Sequence, residues 1–315
     1  MNMRLVRPTA YGSPDVLDVA EVPVPEPGSG LGPGEVLVRV KAAGVNPIDW
    51  KIYSGAFHDV DDDHHDQAGV DIDALPRIGL ECAGVVDGNE VIVYPVTAAY
   101  ADYVVAPADS LIAKPATLSW AEAAGLMLTG TTAAHALHAA GVHEGDTVLI
   151  HNGSGGVGLM AIQLATHRGA KVIATASEHN FELLRSLGAT PVAYGPGLLD
   201  RVQATAPDGI TAALDLIGTD EALDTSLALV ADRTRIASIT GGPRRAKEGI
   251  KLLGYGPGED AGAELRAAAR TDLATMAGAG NLRVLIAATY PLTQAAEAHR
   301  AGQSGHTPGK LILIP

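Results

Sequence analysis

The stretch from residue 147 to 158, TVLIHNGSGGVG, constrains the fold of this chain more than any other. Residues 148–152 have strand character and run into a turn containing Gly153, Gly155 and Gly158, and an apolar helical pattern follows at once. In such a strand–turn–helix unit, the first glycine permits the turn, the second lets a pyrophosphate approach the backbone, and the third lets the helix pack against its strand. The segment therefore predicts a dinucleotide-binding turn.

A regular alternation of strands and helices follows this turn. Strand-like runs at 171–175, 191–194, 212–217 and 233–239 are separated by helical segments. This period predicts a doubly wound parallel sheet with helices on both faces and a ligand at the carboxyl ends of its strands. The candidates for cofactor contact in the turn and at later strand ends are Ser154, Gly155, Gly156, Val157, Ile217, Gly218 and Thr240.

The parts of the chain that flank this α/β segment have a different pattern. Short β-like runs separated by Pro- and Gly-rich turns predict a β-rich lobe before it, and two helices and two strands beyond residue 256 are expected to return to that lobe. We therefore expect a discontinuous domain made of 1–118 and 258–315, with the dinucleotide-binding domain at 119–257.

Two helix starts are marked by capping residues. Asn46 and Pro47 suit the cap and the first turn of a short helix. Ser119 is followed three residues later by Glu122, which is the spacing of a capping box. We expect a helix to begin at each of these two places.

Composition narrows the classes of partner. The net charge is -14 and the pI is about 5.1, which argues against a nucleic acid or an anionic membrane as partner. The single Cys82 excludes an internal disulfide and a zinc site of several cysteines, and favours a cytoplasmic protein. The sequence has neither a signal-peptide pattern nor a run of 18 apolar residues, so we expect a protein that is neither exported nor membrane-spanning.

The run 59–66, DVDDDHHD, carries many groups that bind metals elsewhere. It matches no ligand spacing such as that of the calcium loop, and carboxylates packed in sequence are typical of a solvated loop. Both interpretations, a metal site and a solvated loop, remain open at this point.

Several segments resemble those of one known family in its order along the chain: AAGVNPIDWKIYSG, GLECAGVV, AYADYVVAPADSLIAKP, LTGTTAAHALHAAGVHEGDTVLIHNGSGGVGLMAIQLA, YPLTQAAEAHR and GKLILI. The chain resembles the medium-chain dehydrogenase/reductases, and among them the zinc-free quinone oxidoreductase (ζ-crystallin-like) branch. The resemblance spans nearly the whole chain. It implies a GroES-like β-rich catalytic domain, an inserted Rossmann domain and a homodimer.

The same resemblance bears on metal content. Zinc-dependent relatives have Cys at the place of Asn46 and His at that of Leu80, and neither ligand is present here. We therefore expect no zinc and a hydride transfer without a Lewis acid. This favours a quinone or an activated C=C bond as acceptor, because such acceptors need less polarisation than a ketone.

The predicted cofactor is NADPH. In NAD-preferring relatives an acidic residue ends the second Rossmann strand and holds the ribose 2′-OH, whereas Ala176 stands at that place here. Ser177, Asn180 and Tyr194 resemble the 2′-phosphate contacts of the family, although relatives often have Lys at the position of Asn180. Glu178 is the counter-argument, because it lies close enough in sequence to serve as the ribose acid.

The candidate catalytic residues are Asn46, Lys51, Tyr53 and Thr129, which the resemblance places around the cleft of the nicotinamide ring. A 1,4-reduction needs a hydride at carbon and a proton or hydrogen bond for the developing negative oxygen. Lys51, Tyr53 or water could supply it. Lys51 is equally consistent with a surface lysine, and Tyr53 with an aromatic wall of the cleft.

Three functions remain for the experiment to separate. The first is an NADPH-dependent reductase of quinones or α,β-unsaturated carbonyls. The second is an enoyl-thioester reductase acting on coenzyme A or carrier-protein substrates, against which the acidic charge counts mildly, because those partners are acidic too. The third is a protein that binds NADPH without turnover.

Overall fold

The computed structural model describes residues 1–26, 31–56, 75–305 and 308–315. In chain order, the strands are β1 (Asn2–Pro8), β2 (Leu17–Pro23), β3 (Glu35–Val45), β4 (Cys82–Val86), β5 (Asn89–Val93), β6 (Tyr103–Pro107), β7 (Leu111–Ala113), β8 (Thr147–His151), β9 (Lys171–Ala176), β10 (Ala189–Ala193), β11 (Ala212–Asp215), β12 (Ile236–Ser238), β13 (Lys251–Leu252), β14 (Ile286–Pro291) and β15 (Lys310–Ile314). The helices are α1 (Pro47–Tyr53), α2 (Trp120–Ala124), α3 (Met127–Ala139), α4 (Gly156–His167), α5 (Phe181–Ser186), α6 (Leu198–Thr205), α7 (Asp220–Leu229), α8 (Pro243–Lys247), α9 (Ala263–Gly278) and α10 (Ala295–Gln303). No helix in this described part of the chain has both the length and the apolar character of a membrane span.

The chain forms two compact units, of which the second is Thr129–Leu285. Its described residues form a parallel sheet with the strand order β10-β9-β8-β11-β12-β13. Leu149, Ile173 and Leu223 belong to the buried core of this unit. The glycine turn follows β8, where the strand order reverses, which is the ligand position of such sheets. The predicted Rossmann fold is confirmed.

The first unit combines Met1–Leu128 with Ile286–Pro315. Its main sheet has the order β14-β15-β3-β4-β5-β7, with β6 beside β3, and β1 and β2 form a separate antiparallel pair. Only β14 and β15 pair in parallel among the described strands of the main sheet. Val38, Val93 and Leu313 lie in its buried core. The predicted β-rich lobe built from both chain ends is confirmed.

The division between the units differs from the predicted limit at residue 119. Helix α2 belongs to the first unit, where it packs against β3 and β4. A Cβ atom at Gly44 of β3 would lie 2.5 Å from the carbonyl oxygen of Ala124, so the helix and the strand are in close contact. The start of α2 is as predicted: the Ser119 hydroxyl accepts from the Glu122 N–H at 3.2 Å, and Glu122 Oε2 accepts from the Ser119 N–H at 2.8 Å.

The second limit also differs, because α9 belongs to the second unit and not to the β-rich lobe. Leu273 of α9 packs against Gly130 of α3. Farther on, Gln163 of α4 accepts from the Arg283 N–H at 2.8 Å and donates to the Arg283 carbonyl at 3.1 Å. These contacts hold the chain in the second unit as far as Leu285. The Asp- and His-rich run 59–66 lies outside the described residues.

Candidate functional site

The glycine turn after β8 is a tightly packed structure. A Cβ at Gly158 would lie 2.2 Å from the carbonyl oxygen of Asn152, and one at Gly155 would lie 2.7 Å from the Asn152 amide nitrogen. A Cβ at Gly153 would lie 2.8 Å from the Cβ of Ala174 in β9. Contacts this short are not found for real Cβ atoms. Gly158 would meet backbone and Gly153 a core methyl group, so these two positions require glycine, whereas Gly155 would meet the end of the Asn152 side chain. This agrees with the separate role that the motif assigns to each of them.

Asn152 supports the turn and was not identified as a site residue from the sequence. Its backbone has a φ of 60°, in the left-handed region that asparagine tolerates better than most residues. Its N–H donates to Thr175 Oγ1 at 3.1 Å, and its side-chain amide donates to the Leu216 carbonyl at 3.2 Å. Asn152 therefore connects the ends of β8, β9 and β11. An asparagine directly before a glycine turn is the one sequence signal for this role.

Helix α4 begins at Gly156, with Gly155 as its N-cap residue. The first N–H groups of a helix have no acceptor within the helix, and the helix dipole places partial positive charge there. Ser154, Gly155, Gly156 and Val157 are all half-buried at this end. The Gly155 N–H donates to the Asn152 carbonyl at 3.1 Å, and the N–H groups at the start of α4 fit the pyrophosphate of a dinucleotide.

Polar side chains gather at the carboxyl ends of the two adjoining strands, β9 and β10. Strand β9 ends at Ala176, and the buried Asn180 donates from Nδ2 to Ser177 Oγ at 3.3 Å. Tyr194 directly follows β10, which pairs with β9, and is 60% exposed. The structure therefore brings Ser177 and Asn180 together and places Tyr194 at the end of the neighbouring strand.

The end of β11 is organised by the buried carboxylate of Asp215. Its Oδ1 accepts from the N–H groups of Ile217 and Gly218 at 3.2 and 2.8 Å, and its Oδ2 accepts from Arg245 Nε at 2.8 Å and from the Ser238 hydroxyl at 3.1 Å. This carboxylate fixes the loop that carries two of the predicted cofactor contacts. Arg245 was missed in the sequence because it lies in α8, with no motif around it.

Gly218 and Thr240 also meet, as expected for loops after neighbouring parallel strands. Gly218 has a φ of 88°, and a Cβ there would lie 2.9 Å from Thr240 Oγ1. The predicted cofactor residues thus follow the carboxyl ends of five consecutive strands, β10, β9, β8, β11 and β12. That edge of the sheet is the candidate nucleotide site.

His151, at the end of β8, is a buried packing residue. Its Nε2 lies 3.0 Å from Ser226 Oγ, and the Ser226 hydroxyl donates to the Ala222 carbonyl. Burial lowers the pKa of His151 to about 4, although the charge of Asp215 opposes this shift. The ring is therefore neutral at physiological pH and donates to Ser226, which is a packing role.

The first unit contains a buried polar cluster made of Asn46, Glu81 and Lys310, here called the Lys310 cluster. The Lys310 ammonium donates to Glu81 Oε1 and to the Val45 carbonyl, both at 2.9 Å, and to Asn46 Oδ1. The Asn46 amide in turn donates to Glu81 Oε1 at 3.0 Å, and Glu81 Oε2 accepts from the Leu128 N–H at 2.8 Å. All three side chains are at most 4% exposed. Asn46 is thus fully engaged inside the protein.

A second buried network in the same unit joins Tyr53, His299, Tyr100 and Asp49. The Tyr53 hydroxyl lies 2.8 Å from His299 Nδ1, His299 Nε2 lies 3.2 Å from the Tyr100 hydroxyl, and Tyr100 donates to Asp49 Oδ2 at 2.8 Å. Asp49 Oδ1 also accepts from the Gly79 N–H at 3.0 Å. All four side chains are fully buried.

Ionisation fixes the direction of this network. Burial raises the pKa of Asp49 to about 6, and burial lowers that of His299 to about 4, so near pH 7 the carboxylate is charged and the imidazole is neutral. Because Tyr100 donates to Asp49, its oxygen accepts from the His299 Nε2–H, and His299 Nδ1 accepts from Tyr53. Tyr53 therefore donates its proton to a neighbour in the core.

The other two candidate catalytic residues lie in different environments. Lys51, in α1, is exposed to solvent. Thr129, in α3, is 4% exposed. The start of α1 is held by Asp49, whose Oδ2 accepts from the Asn46 N–H at 2.9 Å. Of the four predicted catalytic residues, Lys51 is therefore the one with an accessible side chain.

The residues around Asn46, the position at which the resemblance implies a zinc ligand in relatives, do not fit zinc. The Asn46 amide oxygen accepts from the ammonium of Lys310, and an ammonium cannot bind a cation. Cys82 is buried, and burial next to Glu81 raises the pKa of its thiol. Within the described residues, no group of three or more His, Cys, Asp and Glu side chains is arranged to hold a metal.

Two family models match this chain. Residues 32–116 match the model described as an alcohol dehydrogenase GroES-like domain, and residues 187–313 match the one described as a zinc-binding dehydrogenase. A full-length relative, given below, is 30% identical. The chain belongs to the quinone oxidoreductase-like family of the medium-chain dehydrogenase/reductases, as its motifs indicated.

Individual relatives are similar over almost the whole chain. The Mus musculus protein named quinone oxidoreductase is 30% identical over 342 residues, covering 99% of this chain and 98% of that protein. The Arabidopsis thaliana protein named NADPH-dependent alkenal/one oxidoreductase, chloroplastic, is 27% identical, covering 97% of this chain and 78% of that protein. A mycobacterial protein solved as a complex with NADPH has 28% identity and a TM-score of 0.83, with coverage of 99% of this chain and 100% of the other.

Proposed function

We propose that this chain is an NADPH-dependent oxidoreductase that transfers hydride to a quinone or to an α,β-unsaturated carbonyl compound. The observation that carries the proposal is the glycine turn between Asn152 and Gly158, which places the amino-terminal end of α4 at the switch point of the sheet. Two named relatives support it, because one is a quinone oxidoreductase and the other an NADPH-dependent alkenal/one oxidoreductase.

The residues of the second unit would hold NADPH in a defined way. The turn Ser154–Val157 would bind the pyrophosphate, Ser177, Asn180 and Tyr194 the 2′-phosphate, and the loops carrying Ile217, Gly218 and Thr240 the rest of the nucleotide. When bound, the cofactor supplies a hydride from its reduced nicotinamide ring. The absence of a carboxylate at Ala176 supports NADPH, because an acid there would repel the 2′-phosphate.

The proposed reaction needs one proton for each hydride. A quinone accepts one hydride and one proton to give the hydroquinone, and an enone accepts hydride at its β-carbon and a proton at its α-carbon. We propose Lys51 or water as the proton source, since the Lys51 side chain is exposed while the Tyr53 hydroxyl donates to His299. We also propose that no zinc takes part, which is supported by the Lys310 ammonium that donates to Asn46 and Glu81, because a neighbouring ammonium disfavours a bound cation.

The assembly and the location of the protein follow the same proposal. We propose a homodimer, which is supported by the resemblance to the family, and a location in the cytoplasm, which is supported by cysteine usage. Sedimentation analysis of the purified protein measures the first of these. A single species with the mass of one chain would contradict it.

The substrate class is tested by following NADPH oxidation at 340 nm. Three acceptors are compared: 9,10-phenanthrenequinone, a small aliphatic enone and crotonyl-CoA. The proposal predicts turnover with the quinone or the enone and not with crotonyl-CoA. Turnover with crotonyl-CoA alone would indicate an enoyl-thioester reductase, and nucleotide binding without turnover of any acceptor would indicate a protein that only binds NADPH.

A further inference from the structure

The two halves of the parallel sheet would receive different ends of a dinucleotide. The strand order reverses at β8, so that β9 and β10 lie on one side of it and β11 and β12 on the other. In sheets of this kind, the residue after the second strand contacts the ribose of the adenosine, which places the adenosine over β9 and β10. The nicotinamide half therefore belongs over the carboxyl ends of β11 and β12, which pair in parallel.

Ser238, the last residue of β12, is fully buried and joins the ends of these two strands. Its hydroxyl carries one proton, and two acceptors lie within reach, Asp215 Oδ2 at 3.1 Å and the Thr240 carbonyl at 3.0 Å. The carboxylate, which is paired with the Arg245 guanidinium, is the stronger acceptor of the two. The Ser238 proton is thus donated to Asp215, and the Ser238 oxygen accepts from the Thr240 N–H at 3.2 Å.

This arrangement fixes the direction of the hydrogen bond between two hydroxyl groups. Thr240 Oγ1 lies 2.9 Å from Ser238 Oγ, and because the Ser238 proton is already donated, the Thr240 hydroxyl donates to Ser238. The Thr240 oxygen then keeps its capacity to accept but has no proton to give. Thr240 is half-buried, and the backbone of Gly218 packs against its side chain. An oriented acceptor therefore lies where the loops after β11 and β12 meet.

We propose that Thr240 Oγ1 accepts a hydrogen bond from the carboxamide N–H of the nicotinamide ring, so that this chain selects nucleotides that carry this donor. This inference rests on the proposed function. The carboxamide is the group of the ring that carries N–H donors, and a site built to accept from a donor rejects an analogue of the same shape that lacks it. Thr240 is then the residue that determines this specificity, and Ser238 is a positioning residue that orients its hydroxyl.

Glu259 is a competing acceptor beside the same loop. Its Oε2 accepts from the Gly256 N–H at 2.9 Å, and its carboxylate lies against Gly241, the residue after Thr240. A carboxylate accepts strongly from an amide N–H. The experiment therefore has to separate Thr240 from Glu259, which the variants Thr240→Val and Glu259→Gln do.

Isothermal titration with NADP⁺ and with its 3-acetylpyridine analogue tests the inference, because the analogue has a methyl group in place of the carboxamide NH₂ and keeps the carbonyl. The ratio of the two dissociation constants is compared between the wild type and the variants. Thr240→Val keeps the shape of the side chain without its hydroxyl, and Thr240→Ser keeps the hydroxyl. The matched control is Thr275→Val, which removes an exposed hydroxyl of α9 that donates to the Thr271 carbonyl at 2.9 Å.

We expect the preference for NADP⁺ over the analogue to be about five- to tenfold larger in the wild type than in Thr240→Val, which is the effect of one hydrogen bond. Thr240→Ser and Thr275→Val should keep the preference of the wild type. Ser238→Ala should lose part of it, because the Thr240 hydroxyl is then free to turn.

Two results would overturn the role of Thr240 alone. The first is an equal preference in the wild type and in Thr240→Val, with NADP⁺ bound by both. The second is a preference that is lost in Glu259→Gln but kept in Thr240→Val, which would assign the contact to Glu259. Binding of neither nucleotide by the wild type would instead overturn the proposed function, and this inference with it.

Discussion

Single side chains explain why a candidate from the sequence can change its role in the folded protein. Tyr53 was a candidate proton donor or cleft wall, yet its hydroxyl donates to His299 in the core. Asn46 was a candidate catalytic residue, yet its amide is shared between Glu81 and Lys310. Both residues are therefore expected to act on stability and on the position of α1 more than on the reacting atoms.

The first prediction concerns Tyr53→Phe. The substitution leaves His299 Nδ1 buried without its donor, which should cost about 1–3 kcal/mol of unfolding free energy. The value of kcat with saturating NADPH should stay within about twofold, because the phenol proton is held by His299 and not by the substrate. Urea unfolding and steady-state kinetics measure the two quantities. A large loss of kcat with unchanged stability would make Tyr53 the proton donor after all.

The second prediction concerns the pH dependence of stability through His299. Burial lowers the pKa of His299 from 6.5 to about 4, so between these values the unfolded chain binds the proton more tightly than the folded one. The stability contributed by the neutral ring is thus present above pH 6.5 and is lost as the pH falls toward 4, by about 3 kcal/mol at most. Asp49 has a pKa that is raised to about 6, so its contribution to stability changes with pH in the opposite direction and decreases as the pH rises.

His299→Gln separates the two groups, because the glutamine keeps one donor and one acceptor but does not titrate. Asp49 is present in both proteins and largely cancels from the comparison. The stability difference between wild type and variant, measured by urea unfolding, should shrink as the pH falls from 7 to 4. A difference that stays constant over this range would mean that His299 does not titrate in the way its burial indicates.

At the scale of the elements, the Lys310 cluster connects β15, α1 and the segment before β4. A charge pair this deeply buried is costly to break, because removing one partner leaves the other charge desolvated and alone. The structure thus uses one ammonium to join parts of the chain that are 229 and 264 residues apart.

The third prediction uses a double-mutant cycle on this pair. Lys310→Met should cost about 3–5 kcal/mol, and Glu81→Gln together with Lys310→Met should recover part of that loss, because no uncompensated charge remains. Arg244→Met is the matched control, because Arg244 forms its ion pairs at the surface. This variant should lose less than about 1 kcal/mol of unfolding free energy. If Lys310→Met costs no more than Arg244→Met in urea unfolding, the cluster has no special role.

The fourth prediction concerns the contact between β8 and α4. In Gly158→Ala the new methyl group would meet the Asn152 carbonyl, so the turn must shift, at a cost of about 1–3 kcal/mol. Affinity for NADPH should fall by about tenfold or more, because the same shift moves the donors of the turn. Gly130→Ala is the control, since it is also a helical glycine but faces the movable side chain of Leu273 at 3.1 Å. Equal NADPH affinity in both variants and in the wild type would contradict this account of the turn.

At the scale of the whole molecule, the features that could be predicted from the sequence are those that depend on local patterns. The glycine turn, the capping box at Ser119 and the βα period are each encoded within a few residues, and all three are found in the structure. The ends of parallel strands share one edge by geometry, so the predicted cofactor residues could be gathered there before any coordinates were known. The family was also identified from such segments.

Long-range pairing could not be predicted in the same way. Lys310 is the first residue of an apolar strand, and no nearby sequence motif predicts that its partners are Glu81 and Asn46. His299 lies in a helix that otherwise reads as amphipathic, and Arg245 lies in a short helix without a motif. The domain limits differed for a related reason, because the side on which α2 and α9 pack depends on contacts with distant residues such as Gly44 and Gly130.

The central claim is that the turn after β8 binds NADPH in a protein that uses no zinc. The most direct measurement is a titration of NADPH, followed by its fluorescence, into protein that has been treated with a chelator and checked for metal by elemental analysis. The account predicts saturable binding of one NADPH per chain without added metal. Absence of binding, or binding that appears only after zinc is restored, would contradict it.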